Sequence, residues 1–287
     1  MNRETPADGE APQDQALAAW AAEEVLSRRE NRLDAARRIR AWEMAATTVQ
    51  LNLASLSLTV LPPGFPALLQ RLDVSDNQLT YLPESLPTSL QELYARSNRL
   101  TSLPVLPPGL RRMDVADNRL TSLSGLPPGL QRLDVPDNRL TSLSGLPSGL
   151  QRLDVPANQL TSLPDTLPPR LQILHVNENQ LTHLPAALPD NLWRLDVSRN
   201  RLTHLPDSLP ASLRTLHAGW NRLTSLPETL LTQLRHASIV SLAWKRILSE
   251  RVRTNLATAL HAEGYEGPRV SFSMGGRNGA RAGTASG

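Results

Sequence analysis

Six histidines, 27 acidic residues and no cysteine set the chemistry that this 287-residue sequence can attempt. His175, Asp196 and His217 recur at 21-residue intervals, and both imidazole and carboxylate bind zinc. His183 and His204 repeat the same interval. Without cysteine there is no thiolate metal site, no disulfide and no cysteine nucleophile. The sequence holds no nucleophile–base pattern, no glycine-rich phosphate loop and no clustered catalytic carboxylates. What remains is the chemistry of recognition. Tyr94, Arg96, Trp193, Arg199 and Trp220 are of the types enriched where proteins grip other proteins.

The elements that would position these groups follow from an internal repeat. Asn77, Asn98, Asn118, Asn138, Asn158, Asn179, Asn200 and Asn221 are spaced by 20 or 21 residues, and Leu56 takes the equivalent place one unit earlier. Around each lies the frame L-x-x-L-x-V-x-x-N-x-L-T-x-L-P, as in Leu150, Leu153, Val155, Asn158, Leu160, Thr161, Leu163 and Pro164. Nine units run from about Thr48 to Pro227. The L-x-V segment alternates apolar and polar, which predicts a short strand with Leu and Val pointing inward. The Asn amide both donates and accepts, so stacked copies are expected to satisfy turn backbone as a ladder. The proline-rich return excludes a helix and predicts an extended, polyproline-II-like convex side. Nine strands stacked at ~4.8 Å give a parallel sheet about 38 Å long.

A one-dimensional stack needs caps at both ends. Residues 15–47 are expected to form a helical hairpin. Leu17, Trp20, Ala21 and Val25 make one face and Leu33, Ala36, Ile39 and Met44 a second, with a break at Ser27 to Asn31. Repeats fill 48–228. A carboxy-terminal cap and junction span 229–274, with a last strand at Ile239, Val240 and Leu242 and a closing helix over Ser249 to Ala262. Segments 1–14 and 275–287 are expected to be disordered and flexible. The fold class is therefore an α/β solenoid.

Outward strand positions form two columns on the concave face. One carries Arg71, Glu92, Arg112, Arg132, Arg152, Ile173, Arg194 and Thr215. The next carries Asp73, Tyr94, Asp114, Asp134, Asp154, His175, Asp196 and His217. Opposed Arg and Asp columns keep a sheet soluble and in register, or they form a patterned binding surface; both readings stand at this stage. Interruptions of the ladder carry the most information. The expected partner-binding set is Tyr94, Arg96, Arg112, Asp114, Arg132, Asp134, Arg152, Asp154, His175, Glu178, Trp193, Arg199, His217 and Trp220. Two strand spacings separate His175 from His217, about 10 Å, too far to share a metal with Asp196. No metal site and no cofactor are expected.

Composition agrees with a thin core made from one repeated side chain. The chain has 54 Leu and 24 Pro but only 5 Trp, 3 Tyr and 2 Phe. Net charge is +3 on a nearly balanced chain, which does not point to nucleic acid. No apolar run reaches the ~18 residues of a membrane span, and Met1 to Asp14 lack the apolar core of a signal peptide.

The repeat subtype L-x-V-x-x-N-x-L-T-x-L-P-x-x-L-P is the leucine-rich-repeat signature and resembles the bacterial type III effectors of the IpaH, SspH and YopM group. The Trp20 to Trp42 hairpin, with Ala35-Ala36-Arg37-Arg38-Ile39-Arg40 leading into Leu51-Asn52-Leu53, is similar to that group's amino-terminal cap. Leu248-Ser249-Glu250-Arg251 and Gly267-Pro268-Arg269-Val270-Ser271-Phe272-Ser273-Met274 resemble the junction to a ubiquitin-ligase domain in its enzymatic members. The likeness covers residues 15 to 274 and departs at Lys245-Arg246, where the family shows Asn-Pro. It implies secretion by a type III system into the host cytoplasm, a host protein as target, and autoinhibitory contact with a catalytic domain of the same protein. That domain acts through a cysteine, absent here, so these residues carry no ligase chemistry and the catalytic domain is expected beyond residue 287. The alternative implied is a stand-alone, non-enzymatic scaffold resembling YopM.

Overall fold

The computed structural model describes residues 12–23, 30–45, 50–224, 239–244 and 269–274. Two helices, α1 (Pro12–Ala22) and α2 (Arg32–Met44), precede nine three-residue strands. These are β1 (Gln50–Asn52), β2 (Arg71–Asp73), β3 (Glu92–Tyr94), β4 (Arg112–Asp114), β5 (Arg132–Asp134), β6 (Arg152–Asp154), β7 (Ile173–His175), β8 (Arg194–Asp196) and β9 (Thr215–His217). Two longer strands follow, β10 (Ile239–Trp244) and β11 (Arg269–Met274). All pair in parallel, in chain order, as one sheet. The last strand expected at Ile239 to Leu242 is therefore present, and the junction-like segment ending at Met274 adds one more strand beside it. The expected closing helix at 249–262 and the segments 1–11 and 275–287 lie outside the described residues. Helix α1 begins at Pro12, inside the segment read as disordered; proline suits a first helical turn, where its missing N–H is not needed.

The strands are short because the chain leaves extended geometry soon after each inward Val or Ala. The residue before every ladder Asn has positive φ: Asp76, Ser97, Asp117, Asp137, Ala157, Glu178, Arg199 and Trp220 lie between 52° and 59°. The left-handed residue turns the Asn side chain into the stack. Asn138 shows what it does there. Its Oδ1 accepts from Leu120 N at 2.9 Å, and its Nδ2 donates to Val115 O and Pro136 O at 3.0 Å and to Val135 O at 3.4 Å. Two of these partners belong to the preceding repeat, so each amide ties neighbouring coils together. At the start of the ladder Asn77 accepts from both Leu56 N and Leu58 N, serving the unit in which Leu56 replaces the Asn.

Inward Leu, Val and Ala form one continuous core from Leu17 to Leu223. Among the described residues the return segments contain no helix. Each makes one tight turn, with bonds such as Leu110 N to Pro107 O and Leu171 N to Pro168 O. Two returns spell Leu-Ser-Gly-Leu-Pro, and their Gly125 and Gly145 sit at φ 67°, where a side chain would be strained.

The amino-terminal helices cover the first coil, but with a different face from the one read in the sequence. Leu33 and Met44 are exposed, and the buried stripe of α2 is Arg32, Ala35, Ala36 and Ile39. The rotation is set by a buried ionic network that hydrophobic periodicity does not register. Arg32 donates to Glu30 Oε2 and Glu23 Oε2 at 2.7 Å and to Trp20 O at 3.1 Å, and its guanidinium lies 5.2 Å from the Trp20 ring centre. Glu30 Oε1 in turn accepts from Thr59 N at 3.0 Å and from Thr59 Oγ1. The Glu30 side chain is 0% exposed. Asn31, within the expected break, caps α2 by accepting from Asp34 N.

Candidate partner-binding face

Strand register places the two outward columns side by side across β2 to β9. Arg71 aligns with Glu92, and that column continues through Arg112, Arg132 and Arg152 to Ile173, Arg194 and Thr215. Asp73 starts the second, which runs through Tyr94, Asp114, Asp134, Asp154, His175 and Asp196 to His217. A third outward position continues the alternation and carries small or polar residues such as Ala116, Pro136, Pro156 and Asn177, with Arg96 the large exception.

In the centre of the face the columns are linked. Arg132 Nε donates to Asp134 Oδ2, and Arg152 Nη2 donates to Asp154 Oδ2, both at 2.6 Å. Arg152 Nε also lies 3.4 Å from Asp134 Oδ1, an ion-pair contact without hydrogen-bond geometry. His175 Nδ1 is 3.3 Å from Asp154 Oδ1, and its buried Nε2 has no hydrogen-bond partner. Arginine stems thus fold over the carboxylates.

Neighbouring carboxylates respond in opposite senses. Burial penalises the Asp154 anion, but its bonds with His175 and Arg152 outweigh that and hold its pKa below the usual range. Burial raises the pKa of Asp114, which Asp134 raises further, against opposing effects of the Ala116 N–H, Arg96 and Arg112. The two linkages have opposite signs. The depressed Asp154 contributes stability above the unfolded carboxyl pKa, lost as pH falls through its folded value. The raised Asp114 costs stability once both states are ionised, and that cost vanishes below the unfolded pKa. Asp114→Asn, which keeps an acceptor for the Ala116 N–H, is therefore expected to unfold at higher urea than wild type at pH 7. The difference should close as pH falls below the usual carboxylate range. Urea midpoints across pH check both parts.

Tyr94 is set between guanidiniums. Arg71 and Arg112 lie 4.7 and 5.1 Å from its ring centre, and its hydroxyl donates to Glu92 Oε2 at 2.7 Å. Burial, with the bond to the Glu92 carboxylate, raises the Tyr94 pKa. The sequence singled out Tyr94 and Arg112 but not the stacking of Arg71 and Arg112 on the ring, since those contacts cross strands. Arg96 is exposed beside it.

The remaining expected residues divide between two edges. Trp193, 36% exposed, stands at the entry to β8. Glu178, Arg199 and Trp220 occupy equivalent left-handed positions past the exits of β7, β8 and β9. Arg199 Nη1 is 3.4 Å from Glu178 Oε1, and its guanidinium is 6.0 Å from the Trp220 ring centre. Earlier repeats carry Asp or Ser at most of these positions, so the chain accepts a cost of about 1–2 kcal/mol to hold a bulky indole there. His217 closes the second column on β9 beside Asp196. Among the described residues no group of three or more His, Asp or Glu could hold a metal, and no helix is long and apolar enough to cross a membrane.

A Leucine Rich Repeat family model matches residues 68–88. No curated protein matches the sequence. Among solved structures the chain is similar to the leucine-rich-repeat domain of a Shigella effector, with 28% identity and a TM-score of 0.50, over 93% of this chain and 99% of that one. It is also similar to the functional domain of InlJ from Listeria monocytogenes, at 25% identity and a TM-score of 0.52, over 72% of this chain and 51% of that one. YopM from Yersinia pestis matches at 28% identity and a TM-score of 0.44, over 79% and 80% of the two chains.

Proposed function

We propose that this leucine-rich-repeat solenoid is the target-recognition part of a bacterial effector secreted by a type III system, and that its concave face binds a host protein in the host cytoplasm. The observation that carries the reading is the likeness to the Shigella effector domain, which spans 93% of this chain and nearly all of that domain. The geometry agrees: the concave face presents ordered charged columns and a held tyrosine rather than a catalytic cleft. In the fuller form of the proposal, the face selects a substrate for a ubiquitin-ligase domain in the same protein, which the repeats also hold inactive. The 287 residues contain no cysteine, so they supply recognition and not the thioester step. The likeness to an effector repeat domain supports equally a second reading, a non-enzymatic scaffold that binds host proteins without modifying them. Ubiquitin thioester formation by the product of the native gene separates the two.

Removing Tyr94 is a poor test of the face, because it uncovers Arg71, Arg112 and Glu92 together. Adding bulk is cleaner. Pro136 and Pro156 face outward between the columns and the exit rim, and neither uses a backbone N–H. Pro136→Arg with Pro156→Arg is expected to abolish host-target capture while leaving the urea midpoint close to wild type. Undiminished capture by the folded double variant would remove the concave-face assignment.

A further inference from the structure

Every ladder Asn is flanked by two rim residues, the left-handed one before it and an exposed or half-exposed one after it. In the middle of the solenoid the rim is balanced: Asp117 and Asp137 precede the Asn where Arg119 and Arg139 follow it. At the last two ladder positions the balance breaks. Arg199 and Trp220 precede, and Arg201 and Arg222 follow; all four are exposed. Arg199 is tied to Glu178, whereas Arg201 and Arg222 have no ion pair among the described residues. Trp220 is 48% exposed and held at φ 59°, a conformation that Asn or Gly adopts more easily. Its neighbour on the concave side is Gly219, which has no side chain to cover the indole.

We infer that this corner binds an acidic peptide segment of a protein partner, with carboxylates on Arg201 and Arg222 and an apolar side chain against Trp220. The inference rests on the protein-recognition reading above and adds a location and a ligand chemistry to it. Unpaired guanidiniums favour carboxylates in bidentate geometry, and an exposed indole beside them supplies the apolar anchor. A nucleic acid fits less well. The basic corner spans only two repeats, and a strand continuing along the rim would meet Glu178 and Asp137, while single-strand binders offer several stacking aromatics in a row.

The test is fluorescence anisotropy with three labelled probes: a short Glu-rich peptide containing Leu and Phe, the same peptide with Lys for Glu, and a single-stranded oligonucleotide. The acidic peptide is expected to bind, more tightly at low salt. Arg201→Gln with Arg222→Gln should weaken it by about tenfold or more, while Arg119→Gln with Arg139→Gln, the same change in net charge on the balanced rim, should change it by less than about threefold. Trp220→Asn should weaken binding by about fivefold without lowering the melting temperature, because Asn accepts the left-handed conformation. Equal weakening by the two arginine pairs, no binding of the acidic peptide, or tighter binding of the oligonucleotide through Arg201 and Arg222 would overturn the inference. The concave variants at Pro136 and Pro156 report separately. If they still block target capture while the acidic peptide fails to bind, only the rim assignment falls.

Discussion

Arg32→Ala is expected to lower stability by about 3–5 kcal/mol, concentrated at the amino-terminal end of the stack. The side chain is nearly buried and ties three elements together: α1 through Trp20 O and Glu23, the turn into α2 through Glu30, and the first repeat through the Glu30–Thr59 bonds. Burial penalises the Arg32 cation, but its bonds to Glu30 and Glu23 outweigh that and raise its pKa. Glu23 is largely exposed and contributes little. Glu30 is the costly partner, since removing Arg32 leaves its fully buried carboxylate without a counter-charge. An apolar pair, Arg32→Met with Glu30→Leu, should therefore cost less than Arg32→Ala alone. Because the solenoid is stabilised by nearest-neighbour contacts, the loss should appear first as faster hydrogen exchange at Leu53, Leu56 and Leu58, with Leu181 and Leu202 unaffected. Uniform loss of protection along the stack would contradict the local account.

The second large effect lies in the ladder. Asn138→Ala is expected to cost about 3 kcal/mol, because it leaves the buried Leu120 N–H without an acceptor and removes a donor from three carbonyls. Asn138→Asp should cost more, although it keeps the acceptor for Leu120. Its second oxygen would face the carbonyls of Val115, Val135 and Pro136, which need a donor. This ordering, Asp worse than Ala, separates a hydrogen-bonding ladder from a merely space-filling one. Urea unfolding of the two variants measures it, and Asp equal to or better than Ala would contradict the ladder account.

These two sites mark how much was legible beforehand. The ladder was readable because one residue type recurs at a fixed interval, and a buried amide in a turn has only backbone to bond with. The strands, their inward Leu and Val, and the alignment of the two outward columns follow from the same interval. The Arg32 network was not readable. Hydrophobic periodicity placed Leu33 and Met44 inward, whereas the structure turns α2 so that a charged residue is buried and those two are exposed. Which partners Arg32 takes depends on how α1, the turn into α2 and the first repeat pack against one another, and periodicity carries no such distances. The same limit hid the setting of Tyr94 between Arg71 and Arg112. The left-handed row before each Asn had a signal in the Asp and Ser of the earlier repeats. That signal disappears at Glu178, Arg199 and Trp220, where the residue type no longer matches the conformation.

The central claim is that the concave face, and not the proline-rich return side, meets the partner. A photo-crosslinking side chain placed at Pro156, on the concave surface, or at Val105, which is 84% exposed on the return side, tests it directly in host cells receiving the effector. The account predicts a discrete covalent adduct with a host protein from position 156 and none from position 105. An adduct from position 105 alone, or the same adduct from both, would contradict it.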